Sequence, residues 1–290
     1  MLRSLTDRAR MAGERVWRGA LVSVVAGTIS APTIALAGPG DEEQAHATVK
    51  LYASHDSVAA GATVLLGVTF DIEEGWHLYW DGKNDSGMPI SVDLTLPEGF
   101  VAEPMLWAAP HRMVSPGEIL DHVYEREVTL LIPLRVPEAL EPGETVRISA
   151  DVDWLACEEF CIPESDRVSI ELEVVSGTEE MRPSRAARLI KLAHARIPKE
   201  LTAKTKGVGL VWEGSTLVLT AEGASEMLFY PKSECPDLIE PIEGAVAEGG
   251  SLRLDFDEED ESKQVLGVLE VVRANQRYPR LYVVWTPRPE

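Results

Sequence analysis

The chain has 290 residues, with 48 Asp and Glu against 27 Lys and Arg, which gives a formal net charge of −21 at pH 7. Nucleic acids bind basic surfaces, so this charge argues against a nucleic-acid partner. Hydrophobic residues make up 45% of the chain, which is ordinary for a globular protein and argues against general disorder.

Residues 1–37 have the pattern of a secretory signal peptide. Five arginines precede an apolar stretch of small residues at 19–37, which closes with Ala35-Leu36-Ala37. A basic start, a short apolar region and an A-x-A end are typical of export signals. The alternative is a membrane anchor, but polar residues at 28–33 interrupt the apolar run. We therefore expect cleavage after Ala37 and a mature chain without a membrane span.

A linker is expected at residues 38–47, and the region 48–176 that follows has the pattern of an antiparallel β-sandwich. Short segments with apolar residues at alternate positions are separated by Gly and Pro, which is typical of this all-β architecture. The expected strands are 48–53, 62–70, 76–80, 90–96, 128–136, 145–154 and 167–175.

The pattern changes at residues 177–206, which we interpret as a linker with an amphipathic helix. Apolar residues recur at helical spacing over 183–197, and the other face is basic. Residues 207–290 then predict a second, smaller β domain. Its expected strands are 208–212, 216–221, 227–230, 251–256, 264–272 and 281–285.

The chain has three cysteines, of which Cys157 and Cys161 are close in sequence and Cys235 is distant. Four extended residues span roughly 13 Å, too far for a disulfide. If the pair is bonded, the strand that ends near Trp154 must turn at once. Closing so short a loop stabilises a fold by only about 2 kcal/mol, so a redox role is favoured over a structural bond.

Acidic residues surround the cysteine pair in sequence, and these are Asp153, Glu158, Glu159, Glu164 and Asp166. Negative neighbours disfavour a thiolate, so we expect a raised pKa for both thiols.

Metal binding is the alternative to a redox role. A Cu(I) site could combine the pair with His111, Met113 or His122. The spacing does not require a metal, and no cofactor is expected. Cys235 is expected to be an unreactive, partly buried thiol. His77 is expected to be a strand-face residue rather than a general base.

Five motifs follow one another along the first part of the sequence: residues 75–80 (GWHLYW), 85–89 (DSGMP), 96–99 (LPEG), 132–134 (IPL) and 154–163 (WLACEEFCIP). In this order they resemble one family, the periplasmic N-terminal domain of DsbD and ScsB thiol:disulfide interchange proteins. The resemblance covers residues 48–175 well, and the remainder is similar, more loosely, to the second β region of ScsB-like proteins.

The resemblance implies an immunoglobulin-like sandwich in a periplasmic protein, with the redox pair near one edge. It implies that Cys161 forms the mixed disulfide with a partner, that Cys157 resolves it, and that residues 109–123 form a cap loop. The expected partners are thioredoxin-fold or disulfide-isomerase-like proteins, with electrons supplied by a separate membrane thiol reductase. The expected activity is that of a protein-disulfide reductase component. The alternative is a non-enzymatic β-sandwich module that binds protein or Cu(I).

Overall fold

A computed structural model describes residues 45–289, and its first half consists of two β-sheets packed face to face. The predicted signal peptide and the start of the predicted linker lie outside the described residues. The strands of this half are β1 (Ala47–Ala53), β2 (Ser57–Ala59), β3 (Thr63–Ile72), β4 (His77–Tyr79), β5 (Ser91–Thr95), β6 (Val101–Ala102), β7 (His111–Ser115), β8 (Ile119–Glu125), β9 (Glu127–Arg135), β10 (Thr145–Cys157) and β11 (Cys161–Val175).

The pairing of these strands gives the expected immunoglobulin-like sandwich. One sheet has the order β1-β3-β9-β6. The other has the order β2-β11-β10-β4-β8-β7, and β5 also pairs with β10. The short strand β2 runs parallel to β11, and the other pairs in these two sheets are antiparallel. The prediction of an all-β fold is confirmed.

Alternating apolar residues build the core between the two sheets. In β1, every second side chain from Ala47 to Ala53 is buried. Phe70 of β3 and Trp154 of β10 meet edge to face across the core, with ring centroids 5.3 Å apart. Burial of one such side chain is worth roughly 1.5–3 kcal/mol, and a shift of one residue would turn the whole apolar set outward. The alternation therefore fixes the register of the sheets.

One short helix, α1 (Ala187–His194), lies within the predicted helical segment. Ile190 and Ala193 of α1 are buried against Leu131 of β9. The basic face, with Arg188 and Lys191, is exposed. Among the described residues, no helix has both the length and the apolar character that crossing a bilayer requires.

The second half is a smaller pair of sheets with its own core. Its strands are β12 (Lys199–Glu200), β13 (Val208–Glu213), β14 (Thr216–Ala221), β15 (Glu226–Pro231), β16 (Val246–Glu248), β17 (Ser251–Leu254), β18 (Gln264–Val272) and β19 (Arg280–Pro287). A five-stranded sheet, β12-β19-β18-β15-β16, and a three-stranded sheet, β13-β14-β17, share this core. Phe229, Leu217 and Leu252 are among its fully buried side chains.

The second half packs directly on the first, against the segment that follows β4. Tyr230 of β15 belongs to the first core, and its ring centroid lies 6.3 Å from that of Trp80 and 5.6 Å from that of His122. Lys232 Nζ lies 2.7 Å from Asp81 Oδ2 and 4.6 Å from the centroid of the Trp80 ring. The two cores are therefore in contact, and the domain boundaries at 176 and 207 stay a prediction.

Candidate functional site

The two cysteines face each other across a β-hairpin. β10 continues to Cys157, residues 158–160 form the loop, and β11 begins at Cys161. The two residues are paired in register, their sulfurs form a disulfide, and their Cα atoms are 4.2 Å apart. The expectation that the strand ends near Trp154 is therefore wrong. Antiparallel pairing places facing Cα atoms roughly 4.5–5.5 Å apart, so the hairpin itself brings the sulfurs together.

The two cysteines of this disulfide differ in their exposure to solvent. Cys157 is 2% exposed and packs against Tyr79 and Val123. Cys161 is exposed, and its neighbour in the loop, Phe160, is 79% exposed. A partner molecule can therefore approach the sulfur of Cys161, while that of Cys157 is covered.

A chain of hydrogen bonds leads inward from Cys161. Tyr79 Oη lies 3.4 Å from Cys161 Sγ and 3.0 Å from Ser86 Oγ. The hydroxyl of Ser86 donates to Asp121 Oδ2 at 2.6 Å, and its backbone N–H donates to Asp121 Oδ1 at 3.0 Å. Asp121 is buried. The exposed sulfur is thus connected to a buried carboxylate.

The side chains around the disulfide lie on the outer face of the seven-stranded sheet. Side chains alternate between the two faces of a strand. In β4, His77 and Tyr79 therefore share the outer face, while Leu78 between them enters the core. In β8, Asp121 and Val123 take the outer face in the same way. The pairing of β4 with β8 and β10 places these residues beside the cysteines.

His77 lies directly across from Cys157 in the pairing of β4 with β10. Its Nε2 is 3.3 Å from Tyr79 Oη, and the ring is buried. Burial lowers the pKa of His77, and the carboxylates of Asp121 and Glu125 oppose this shift only in part. The ring is therefore neutral at neutral pH. The prediction that His77 is a strand-face residue is confirmed.

Comparison with known proteins identifies this half of the chain. Residues 48–172 match the family described as thiol:disulfide interchange protein DsbD, N-terminal. Residues 48–172 form a DsbD-type N-terminal domain. No curated protein sequence matches the chain.

Solved structures extend the comparison of the DsbD-type fold. The N-terminal periplasmic domain of ScsB from Proteus mirabilis aligns at 17% identity and a TM-score of 0.53, over 86% of this chain and 96% of that chain. At this identity, the similarity shows the fold alone. The major pilin subunit BcpA of Bacillus cereus aligns over 78% of this chain and 58% of that chain, at 10% identity. Its TM-score of 0.25 is too low to support any argument.

The segment predicted as the cap loop of the DsbD-type domain, residues 109–123, contains a β-hairpin instead. β7 and β8 are joined by a tight turn with positive φ at Gly117 (94°) and Glu118 (62°). The Pro and Gly of this turn suggested a loop, and the polar residues of β8 hid a strand that pairs with β4. Met113 of β7 and Val123 of β8 pack beside Cys157, so the hairpin covers the buried sulfur.

Two of the acidic residues near the pair in sequence, Glu164 and Glu158, lie against other parts of the DsbD-type domain. Glu164 accepts hydrogen bonds from the indole N–H of Trp154 at 2.9 Å and from the backbone N–H of His46 at 2.7 Å. Glu158 lies against the turn at Gly75, where an added Cβ would be 3.1 Å from its Oε1. The raised thiol pKa stays a prediction.

The residues considered for Cu(I) lie on different faces of the sheet. Met113 packs beside Cys157 on the outer face. His122 faces the second half, where its ring lies near Trp80 and its Nδ1 is 2.6 Å from the carbonyl oxygen of Lys83. His111 is exposed at the start of β7. The fold therefore does not bring the three together with the cysteine pair.

Cys235 lies in the core of the second half. Burial raises the pKa of its thiol to about 11. A thiol of this kind is a poor nucleophile at neutral pH. The prediction of an unreactive thiol agrees with this environment, although the side chain is fully rather than partly buried.

Tyr79, Ser86 and Asp121 are site residues that the sequence does not predict. The first two lie in the motifs GWHLYW and DSGMP, which indicate the family but do not by themselves indicate a contact with the cysteines. Gly87 of the second motif packs against the Tyr79 ring, and an added Cβ would lie 2.1 Å from ring atoms. A larger residue at position 87 would therefore displace the hydroxyl that contacts Cys161.

Proposed function

We propose that the protein is a periplasmic thiol–disulfide exchange protein that works through Cys161 and Cys157. The observation that supports this most is the disulfide itself, which joins one exposed and one buried sulfur. A short-loop disulfide stabilises the fold little, and an exposed sulfur is open to attack. The match of residues 48–172 to a thiol:disulfide interchange family supports the same role.

Exchange requires two successive displacements at sulfur. In the reduced protein, the Cys161 thiolate attacks a disulfide of the partner and forms a mixed disulfide, and one partner thiolate leaves and takes up a proton. The Cys157 thiolate then attacks Cys161 Sγ and releases the second partner thiol. The Cys157–Cys161 disulfide is restored, and two electrons have passed to the partner. A membrane thiol reductase reduces the disulfide again by the reverse chemistry.

The surface around Cys161 suits a protein partner. Large apolar side chains are exposed on three nearby segments: the disulfide loop, the segment after β4 and the β7–β8 hairpin. These side chains are Phe160, Met88 and Ile119. Exposed apolar groups beside a reactive sulfur favour docking of another protein surface. A thioredoxin-fold or disulfide-isomerase-like protein, with its own paired cysteines, fits this role.

Trapping with a small aromatic disulfide tests the proposed order of attack. In a Cys235→Ala background, reduced Cys157→Ser is mixed with dithiobis(nitrobenzoate). We expect a stable adduct on Cys161, because the resolving thiol is gone. The intact pair should instead release two thionitrobenzoates and close its disulfide. Mass spectrometry of the products distinguishes the two results.

The matched control is Cys161→Ser in the same background, which leaves only the covered Cys157. Its adduct should form at least about tenfold more slowly, because the buried sulfur is shielded from the reagent. Equal rates for the two single-cysteine variants would contradict the assignment of Cys161 as the attacking residue.

A further inference from the structure

The hydrogen bonds between Cys161 and Asp121 have a defined direction. The hydroxyl hydrogen of Ser86 is used on the Asp121 carboxylate, so Ser86 Oγ can only accept from Tyr79. When Cys161 is a thiol, its S–H can donate to Tyr79 Oη. Each group then donates to the next, from the sulfur to the carboxylate.

The groups that form this series of hydrogen bonds have environments suited to moving a proton. Burial raises the pKa of Tyr79, so its hydroxyl stays protonated and can pass a proton on without ionising. Asp121 is buried and accepts two hydrogen bonds from Ser86, which hold its carboxylate facing the Ser86 hydroxyl. The other titratable groups near these hydrogen bonds are His77 on β4, whose Nε2 lies 3.3 Å from Tyr79 Oη, and Glu125 at the end of β8.

We propose that Asp121 is the proton acceptor for the Cys161 thiol, acting through Tyr79 and Ser86. This inference rests on the proposed exchange function and adds three residues to it. The Cys161 S–H proton moves to Tyr79 Oη, the Tyr79 proton to Ser86 Oγ, and the Ser86 proton to Asp121 Oδ2. The products are a Cys161 thiolate and a neutral Asp121 carboxyl, with Tyr79 and Ser86 unchanged.

The proton returns by the same route. Once Cys161 Sγ is bonded to the partner, the departing partner thiolate lies beside Tyr79. Asp121 releases its proton back along the chain, and the partner sulfur receives it from Tyr79. The proton count therefore balances within the first displacement. The route gives the exposed sulfur access to a base that is itself shielded from solvent.

The test measures the rate at which reduced Cys161 reacts with dithiobis(nitrobenzoate) across pH, in the full chain with Cys235→Ala. Positioned acid–base groups contribute on the order of a hundredfold or more, so Asp121→Asn, Ser86→Ala and Tyr79→Phe should each lower the rate at neutral pH about 10- to 100-fold. At alkaline pH, where hydroxide removes the thiol proton directly, each variant should reach the rate of the unsubstituted protein. Imidazole, a small base, should restore part of the lost rate at neutral pH.

Two comparisons separate this role from structural damage. Ser86→Thr keeps a hydroxyl and should retain most of the rate, even where Asp121→Asn fails to fold. Glu159→Gln removes an exposed carboxylate of the disulfide loop that takes no part in the hydrogen bonds from Cys161 to Asp121. It should change the rate by less than about threefold.

The outcomes also separate the relay from the exchange function. If the unsubstituted chain reacts through Cys161 and Ser86→Ala matches it at neutral pH, the relay is wrong and exchange stands. A deficit in Ser86→Ala that persists at alkaline pH also overturns the relay. If the unsubstituted chain forms no adduct at Cys161 at any pH, the exchange function itself fails.

Discussion

Replacement of Cys161 by Ser is expected to abolish disulfide exchange with a protein partner. A serine hydroxyl is not ionised at neutral pH and does not attack disulfides, and the remaining Cys157 is covered by Tyr79 and Val123. Loss of a nucleophile lowers turnover by orders of magnitude, so reduction of an oxidised thioredoxin-fold protein should slow by at least about a thousandfold. Stopped-flow fluorescence of that partner measures the rate.

The companion variants make this result specific. Cys157→Ser should complete the first displacement and then stop at the mixed disulfide. Cys235→Ala should exchange at the unsubstituted rate within about twofold, since its thiol is buried in the second core and its pKa is raised. More than about a tenth of normal turnover in Cys161→Ser would contradict the account.

Replacement of Trp80 by Ala should destabilise the whole described structure. Trp80 is fully buried where the two halves meet, near Tyr230, His122 and Lys232. Truncating a buried tryptophan costs about 3–5 kcal/mol. We expect the free energy of unfolding to fall by that amount, with one transition for both halves. Urea unfolding followed by circular dichroism measures it.

Trp285→Ala is the matched control, because Trp285 is 61% exposed on β19. It should change the free energy of unfolding by less than about 0.5 kcal/mol. The contact between the halves would be unimportant if Trp80→Ala lost under about 1 kcal/mol. Two separate transitions, with only the first one shifted, would show that the halves unfold independently.

The sandwich was predictable from the sequence because its inner strands carry a clear period of two. In β1, β3 and β9 every second residue enters the shared core, so local pattern and tertiary packing agree, although the other face of β3 and β9 is also largely buried. β7 and β8 were not predicted, because the outer face of this sheet holds polar residues such as Asp121. β8 is a strand because it pairs with β4, and β7 because it pairs with β8, and no local sequence pattern reports either pairing.

The cysteines could be found from the sequence, but their surroundings could not. Spacing alone singled out Cys157 and Cys161, while the prediction of a turn after Trp154 did not consider a hairpin with facing cysteines. Tyr79, Ser86 and Asp121 come from separate elements and meet only through the β4–β8–β10 order. The packing of Lys232 on Trp80 likewise joins residues far apart in the chain.

The redox equilibrium of the Cys157–Cys161 pair is the most direct measurement of whether it opens in use. Thiol–disulfide buffers of stepped potential, followed by alkylation and mass spectrometry, report the fraction of open disulfide. As the potential of the buffer is lowered, we expect the disulfide to open reversibly, with a midpoint potential above about −300 mV and an unchanged circular dichroism spectrum. A pair that stays closed below about −300 mV, or that opens only when the protein unfolds, would be a structural bond and would contradict the account.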